Sequence, residues 1–150
     1  MRDYLREFNS VMGRINGAYH DFSVYYGLSD SAMSVLYTLS LEDGCSQSDI
    51  CRISGMSKTT INAAVLKMEK DGLLHLESGH GRNRRIILSD KGKELAERTA
   101  KVLYETEEKI FAAWTQEERD VFKRLHEDYL NRFIKCFAAL KEEENEDSVI

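Results

Sequence analysis

The stretch from Ser46 to Leu88 constrains the fold of this chain more than any other part of it. It begins with SQSDICRIS, in which Ser46 can cap a helix and Asp49, three residues later, completes a capping box. Gly55 follows, and glycine readily supplies the positive φ that a tight turn between two crossed helices needs. Ser57 is then placed to cap a second helix. The pattern predicts two short helices joined by a tight turn.

The second helix, KTTINAAVLKMEKDG, is expected to have one apolar face and one polar face. Its apolar residues recur at the spacing i, i+3, i+4 and i+7 and therefore share one stripe against a core. These residues are Ile61, Ala64, Val65 and Met68. The opposite face begins with short polar side chains, which suits a helix whose first turns enter a DNA major groove about 12 Å wide.

That opposite face supplies the first set of candidate DNA contacts. They are Ser57, Lys58, Thr59, Thr60, Asn62, Ala63 and Lys67. We expect Asn62 to read adenine, and the methyl groups of Thr59 and Ala63 to contact thymine, because these groups match the base edges. The alternative is that these residues form only the solvated side of a helix.

The segment LHLESGHGRNRRIILS is typical of a β-hairpin. Apolar and polar residues alternate before a glycine-containing turn, and residues 84–88 return as a second strand. The basic tip predicts further DNA contacts at Arg82, Asn83, Arg84 and Arg85, with Arg82 entering the minor groove. Arg84 and Arg85 point to opposite faces, so at least one of them should anchor to phosphate or to an acidic neighbour. Two helices followed by such a hairpin form a winged helix-turn-helix.

Long amphipathic helices are predicted on both sides of this unit, so the fold class is mainly α with a small β-hairpin wing. We expect helices over residues 2–26, from Ser29 to near Gly44, from Ser89 to Trp114, and after a capping box at Thr115. The 150 residues are expected to form one domain. Its parts are a winged helix-turn-helix core at 29–88, dimerisation and linking helices at 1–26 and 89–143, and a tail at 144–150.

The last helix has more apolar residues than one stripe against a core can use. They are Phe122, Leu125, Tyr129, Phe133, Phe137 and Leu140, with Val121, Leu130 and Ile134 beside them. The first helix has a similar surplus, and pairing both helices with a second copy of the chain covers both surfaces. We therefore expect a two-fold homodimer. The alternative is that these residues complete the core of a single chain.

The net charge of −5 is unevenly distributed along the chain. Residues 57–93 carry eight basic and four acidic side chains, whereas the remainder carries thirteen basic and twenty-two acidic ones. Association is steered by the local field over about a Debye length of 8–10 Å, so the helix-turn-helix and hairpin can attract phosphate despite the net charge.

Other function classes have little support in the sequence. It contains no phosphate-binding glycine loop and no nucleophile elbow, so neither an enzyme nor a cofactor is expected. The histidines lack metal-ligand spacing, so no metal site is expected. Cys45 is the one plausible exposed thiol, because Cys51 and Cys136 fall on apolar faces. The absence of a membrane-spanning run and of a signal peptide predicts a cytoplasmic protein without a membrane partner.

Two segments carry a family resemblance. ICRISGMSKTTINAAVLKMEKDGLL is similar to the helix-turn-helix, and GRNRRIILSDKG to the wing and the following helix start, of MarR (multiple antibiotic resistance regulator) transcriptional regulators. The resemblance extends over nearly the whole chain. Three positions depart from it: Cys51 replaces the usual Ala, His80-Gly81-Arg82 replaces Asp-x-Arg, and Ala63 stands where relatives often have Arg.

The resemblance implies a ligand-responsive repressor that binds pseudo-palindromic operator DNA as a homodimer. Its partners would be double-stranded DNA, a second copy of the chain and a small-molecule effector, for which no residue is assigned. The alternative is a winged-helix module that binds another protein and has no role on DNA. In that case the basic hairpin would be incidental.

Overall fold

This computed structural model describes residues 1–42, 44–77 and 84–147. In these ranges the helices are α1 (Arg2–Tyr25), α2 (Asp30–Leu41), α3 (Gln47–Ser54), α4 (Lys58–Lys70), α5 (Asp90–Arg98), α6 (Ala100–Ala112) and α7 (Gln116–Asp147). The strands are β1 (Leu74–Glu77) and β2 (Arg85–Leu88). The predicted fold class, mainly α with a small antiparallel hairpin, is confirmed. The chain divides into two compact units, Met1–Thr106 and Glu107–Ile150.

Serine side chains begin four of these helices, as their positions predict. Ser29, Ser46, Ser57 and Ser89 each accept a hydrogen bond from the backbone N–H three residues later. The capping box at Ser46 is complete, because the Asp49 carboxylate accepts a hydrogen bond from the Ser46 N–H at 3.0 Å. These caps fix where the helices around the hairpin begin.

One buried cluster holds the winged helix-turn-helix together. Its completely buried aliphatic residues are Val35 and Leu36 of α2, Ile50 of α3, Ile61 and Val65 of α4, and Ile86 of β2. Helix α2 packs against α3, α4, α5 and β2, and α3 packs against α4. Ala64 and Met68 are buried as well, which confirms the apolar stripe on α4. Because that stripe faces the core, the other side of α4 faces solvent.

The hairpin is tied to the start of α3. Strands β1 and β2 pair antiparallel, with Leu74 opposite Leu88. In addition, the Ile86 N–H donates to the Cys45 carbonyl at 2.9 Å, and Ser46 forms a bridge with Arg85. Period-two alternation does not reveal this second pairing, because residues 45 and 46 are too few to form a strand of their own.

The single helix predicted from Ser89 to Trp114 is wrong, because the chain breaks at Thr99 into α5 and α6. Thr99 has φ −131° and ψ −79°, outside the helical region. Its buried hydroxyl donates to the Leu95 carbonyl at 2.7 Å. The same hydroxyl bond occurs at Thr106 inside the unbroken α6, so it accompanies the break at Thr99 and does not by itself explain it.

Two helix ends also differ from the sequence prediction. Helix α2 ends at Leu41, short of Gly44, because Glu42 is extended, with φ −144°. Helix α7 continues to Asp147, so residues 144–147 are helical although they were predicted to be tail. Two of these four residues are Glu, which has high helix propensity, and none of them is Gly or Pro.

The predicted exposure of the cysteines is reversed. Cys45 is buried, and its Sγ lies 3.1 Å from the Glu42 carbonyl, so the prediction of an exposed thiol there is wrong. Cys136 on α7 is exposed, contrary to its assignment as a core residue. The reason is that residue 45 is covered by its pairing with β2, whereas α7 leaves its apolar face uncovered.

Helix α7 presents a continuous exposed surface. Between Val121 and Leu140 every side chain is exposed. The Phe133 ring stacks between Tyr129 and Phe137, with centroid separations of 6.5 Å on both sides. Within the unit Glu107–Ile150 these apolar residues are not covered, and the homodimer stays a prediction. In the described part of the chain, no helix has the length and apolar character needed to cross a membrane.

Candidate nucleic-acid interface

The turn between α3 and α4 sets the direction of the second helix. Gly55 has φ +69°, in the left-handed region, and its N–H donates to the Cys51 carbonyl at 2.9 Å, which ends α3 as predicted. Met56 packs against the core between the two helices. Ser57 then caps α4. The short turn holds α4 across α3 with its first residues at the surface.

The first turns of α4 expose several of the predicted contacts. Lys58, Thr59, Asn62 and Ala63 all lie on the solvent side. Lys58 places a positive charge beside the N-terminus of α4, where the helix dipole also favours an anion. This combination suits the approach of a phosphate or the edge of a base.

Three other predicted contacts already have partners within the chain. The Ser57 and Thr60 hydroxyl oxygens lie 2.8 Å apart, and Ser57 Oγ also accepts from the Thr60 N–H at 3.1 Å. The Lys67 ammonium lies 3.6 Å from the Asp71 carboxylate. Both Lys67 and Asp71 are largely exposed, so this ion pair contributes little to stability and leaves Lys67 able to contact another anion.

A groove runs between α3, α4 and the hairpin beside Asn62. It has a volume of about 320 Å³ and is lined by Ser46, Gln47, Ser48, Asn62, Leu66, Leu76 and Arg84. Inside it, Gln47 Nε2 donates to Asn62 Oδ1 at 3.3 Å. The structure thus brings Asn62 of the first predicted set together with Arg84 of the second.

The two hairpin arginines have different surroundings, as their alternation predicts. Arg84 is exposed and lines the groove beside Asn62. Arg85 turns to the other side, where its Nε donates to the Gly44 carbonyl at 3.1 Å. Within the described residues it therefore anchors to a backbone carbonyl, and a phosphate contact by either arginine stays a prediction. Arg82 and Asn83, at the hairpin tip, lie outside the described residues.

Two residues of this surface were not among the predicted contacts. Gln47 is the first residue of α3, and nothing in the local sequence indicates that it reaches a residue fifteen positions later. Leu66 is 52% exposed on α4, where a large apolar side chain can meet a thymine methyl group. Its helical position could have identified Leu66, because it lies on the same face as Ala63.

The capping box beside the groove is expected to make stability depend on pH. Hydrogen bonds from the Ser46 hydroxyl and N–H hold the pKa of Asp49 below its usual value. Because the folded-state pKa is the lower one, this stabilisation is complete above the unfolded-state pKa of about 4 and disappears as the pH falls through the folded-state value. The loss of stability caused by Asp49→Ala should therefore be constant from pH 5 to 7 and shrink below about pH 4.

Urea unfolding of wild type and Asp49→Ala between pH 2.5 and 7 measures this difference. Ser46→Ala is the matched control, since it removes the hydroxyl donor and should flatten much of the same pH dependence. An Asp49→Ala effect of equal size at pH 3 and pH 7 would contradict the assignment.

Among the described residues, no group of three or more His, Cys, Asp or Glu side chains is arranged to hold a metal ion. What the surface does contain is an exposed helix N-terminus, amide and hydroxyl side chains, and the cationic groups of Lys58 and Arg84. Together with the hairpin, this defines a winged helix-turn-helix with a polar to basic recognition surface.

Comparison with known proteins names the family. The family model described as "MarR family" matches residues 26–86, from the end of α1 to β2. This segment, which holds the helix-turn-helix and the hairpin, is similar to the MarR family of transcriptional regulators. None of the curated proteins matches the sequence significantly.

Solved structures share the fold over most of the chain. A MarR family regulator from Neisseria meningitidis is 22% identical with a TM-score of 0.76, over 91% of this chain and 96% of its own. MepR from Staphylococcus aureus, solved as a complex with DNA, is 18% identical with a TM-score of 0.65, over 87% and 97%. PcaV from Streptomyces coelicolor, in complex with its natural ligand, is 21% identical with a TM-score of 0.60, over 81% and 89%.

Proposed function

We propose that this protein is a sequence-specific DNA-binding repressor that binds a pseudo-palindromic operator as a homodimer and responds to a small ligand. The observation that carries the proposal is the exposed polar face of α4, held outward by its buried stripe and bordered by Arg84. A helix presented in this way can enter a major groove while the hairpin contacts the backbone. The fold shared with MepR, which was solved on DNA, supports this orientation.

The charges of the surface suit a nucleic acid. Lys58 and Arg84 are exposed, and Lys70 lies on the same helix face as Thr59 and Ala63. Phosphate contacts by such residues position the protein, while the short side chains of α4 are free to meet base edges. The acidic remainder of the chain favours approach to DNA through this face alone.

The homodimer rests on the exposed apolar surfaces of two helices. In α7 this surface includes the stacked rings of Tyr129, Phe133 and Phe137. In α1 it includes Leu5, Val11, Ile15 and Tyr19. Contiguous apolar surface of this extent marks an interface with another protein chain. A two-fold dimer would place two α4 helices about 34–36 Å apart, one turn of DNA, and so read two inverted half-sites.

Selection of bound sequences from a random duplex pool tests the proposal. We expect enrichment of a pseudo-palindrome whose half-site centres are about one DNA turn apart. Affinity for the selected site should fall steeply as the salt concentration rises. Failure to enrich any sequence, together with tight binding to another protein through the same surface, would favour the interaction module instead.

Arg84→Ala is expected to weaken binding to selected and unrelated DNA alike, because a phosphate contact carries no sequence information. The slope of log affinity against log salt should become shallower by about one unit for each lost contact. The matched control is Arg98→Ala, which removes the same charge from α5, outside the groove. Equal salt slopes for wild type and Arg84→Ala would show that Arg84 does not contact phosphate.

A cavity provides a place for the ligand. It has a volume of about 430 Å³ and is lined by residues of α2, β2, α5 and α6, including Leu39, Leu88, Ala100 and Lys93. This volume is in the range of small-molecule sites, which are mostly apolar with a few polar groups. A ligand that raises the Tm of the free protein should lower DNA affinity about 5- to 150-fold, the range for a coupling of about 1–3 kcal/mol.

A further inference from the structure

We infer that Gln47 of α3 and Asn62 of α4 act as one base-reading pair, in which Gln47 sets the orientation of the Asn62 amide and thereby the base that it selects. The inference rests on the proposed DNA-binding function. It adds Gln47 to the specificity-determining residues, as a positioning residue for Asn62.

The geometry of the pair is held from both sides. Gln47 follows directly on the Ser46 capping box, which fixes the first turn of α3. Asn62 follows Ile61, which is completely buried and fixes the position of α4. Between these two backbones, Gln47 Nε2 donates to Asn62 Oδ1 at 3.3 Å. The amide group of Asn62 therefore has its oxygen turned toward α3.

This orientation decides which hydrogen-bonding group Asn62 can offer to a base. An asparagine reads adenine by accepting from N6 and donating to N7, which needs the amide oxygen and nitrogen side by side on the base. Oδ1 has two lone pairs, so it can accept from Gln47 and from adenine N6 at the same time, while Nδ2 donates to adenine N7. Guanine presents two acceptors there, N7 and O6, and an Oδ1 held in place by Gln47 meets no donor on O6. The pair therefore strengthens the preference of Asn62 for adenine over guanine.

The hydrogen bond also lowers the cost of ordering the side chain. A free Asn or Gln amide on an exposed helix loses rotamer freedom when it binds a base. Here the two amides restrict each other before DNA arrives. Loss of Gln47 should therefore weaken both the base preference of Asn62 and the affinity for the site.

The test is selection of bound duplexes by wild type, Gln47→Ala, Asn62→Ala and the double variant. We expect wild type to enrich adenine over guanine about 5- to 100-fold at one position in each half-site, and Asn62→Ala to lose that preference. Gln47→Ala should weaken the adenine preference at the same position, because the Asn62 amide is then free to turn. The double variant should behave like Asn62→Ala, because Gln47 acts through Asn62.

Gln116→Ala is the matched control, since it removes the same side chain from the first position of another helix, α7, outside the groove. It should leave base preference at that position unchanged. All variants alter surface side chains, and equal Tm values show that a change in preference does not come from unfolding.

The inference is overturned if Gln47→Ala keeps the full adenine preference of wild type at the position that Asn62→Ala affects. It is equally overturned if wild type selects guanine there, or if Asn62→Ala changes no position. Failure of the proposed function has a different signature, because wild type itself would then enrich no sequence.

Discussion

Phe133→Asp is expected to convert the protein to a monomer and to lower its affinity for operator DNA about 100-fold or more. Phe133 is 60% exposed in the single chain, and its ring lies between those of Tyr129 and Phe137 on α7. In a dimer interface a carboxylate at this position would be buried without a partner, which costs several kcal/mol. A monomer also loses the increase in DNA affinity, about 10²- to 10⁴-fold, that comes from binding two half-sites at once.

Sedimentation velocity and DNA titration of the same samples measure both parts of this expectation. Asn131→Asp is the matched control, because it adds the same charge to α7 about 200° around the helix from position 133. It should remain dimeric and bind DNA as wild type does. A Phe133→Asp protein that is still a dimer would mean that α7 does not form the interface.

Gly92→Ala is expected to destabilise the winged helix-turn-helix by about 2–4 kcal/mol, from overpacking and from a lost hydrogen bond. Gly92 lies in the first turn of α5, and a Cβ there would come within 1.9 Å of the Leu73 carbonyl oxygen. That oxygen belongs to the backbone and accepts a hydrogen bond from the Ser89 N–H at 3.0 Å. Relief of the clash must therefore separate the start of α5 from the segment leading to β1.

Chemical denaturation followed by circular dichroism measures this loss. Gly13→Ala is the control, since Gly13 lies within α1 and a Cβ there meets no atom within 4 Å. That substitution should stabilise the helix by about 0.5–1 kcal/mol, because alanine loses less backbone entropy than glycine. Equal stability of Gly92→Ala and wild type would show that α5 and Leu73 do not pack closely.

Much of the fold follows from local signals in the sequence. The serine caps, the left-handed Gly55 and the apolar stripe on α4 are all confirmed, because each depends on residues only a few positions apart. The outward face of α4 follows from the stripe. The roles of its residues on DNA stay predictions.

What the sequence did not predict depends on contacts between distant residues or on competition within one turn. The chain breaks at Thr99 within a segment whose apolar periodicity continues on both sides. Cys45 is buried by β2, and Gln47 reaches Asn62 from a neighbouring helix. Periodicity reports which face of an element is apolar, and it carries no information on which polar side chains meet across elements.

The anchor of Arg85 links the evolution of two distant positions. Gly44 has φ +75°, and a Cβ there would lie 2.2 Å from an Arg85 guanidinium nitrogen, in the space that the guanidinium occupies. A larger residue at 44 would expel the guanidinium from its carbonyl and leave a free cation beside the hairpin. Homologues that lose this glycine should therefore also change the arginine 41 positions later, as one covarying pair.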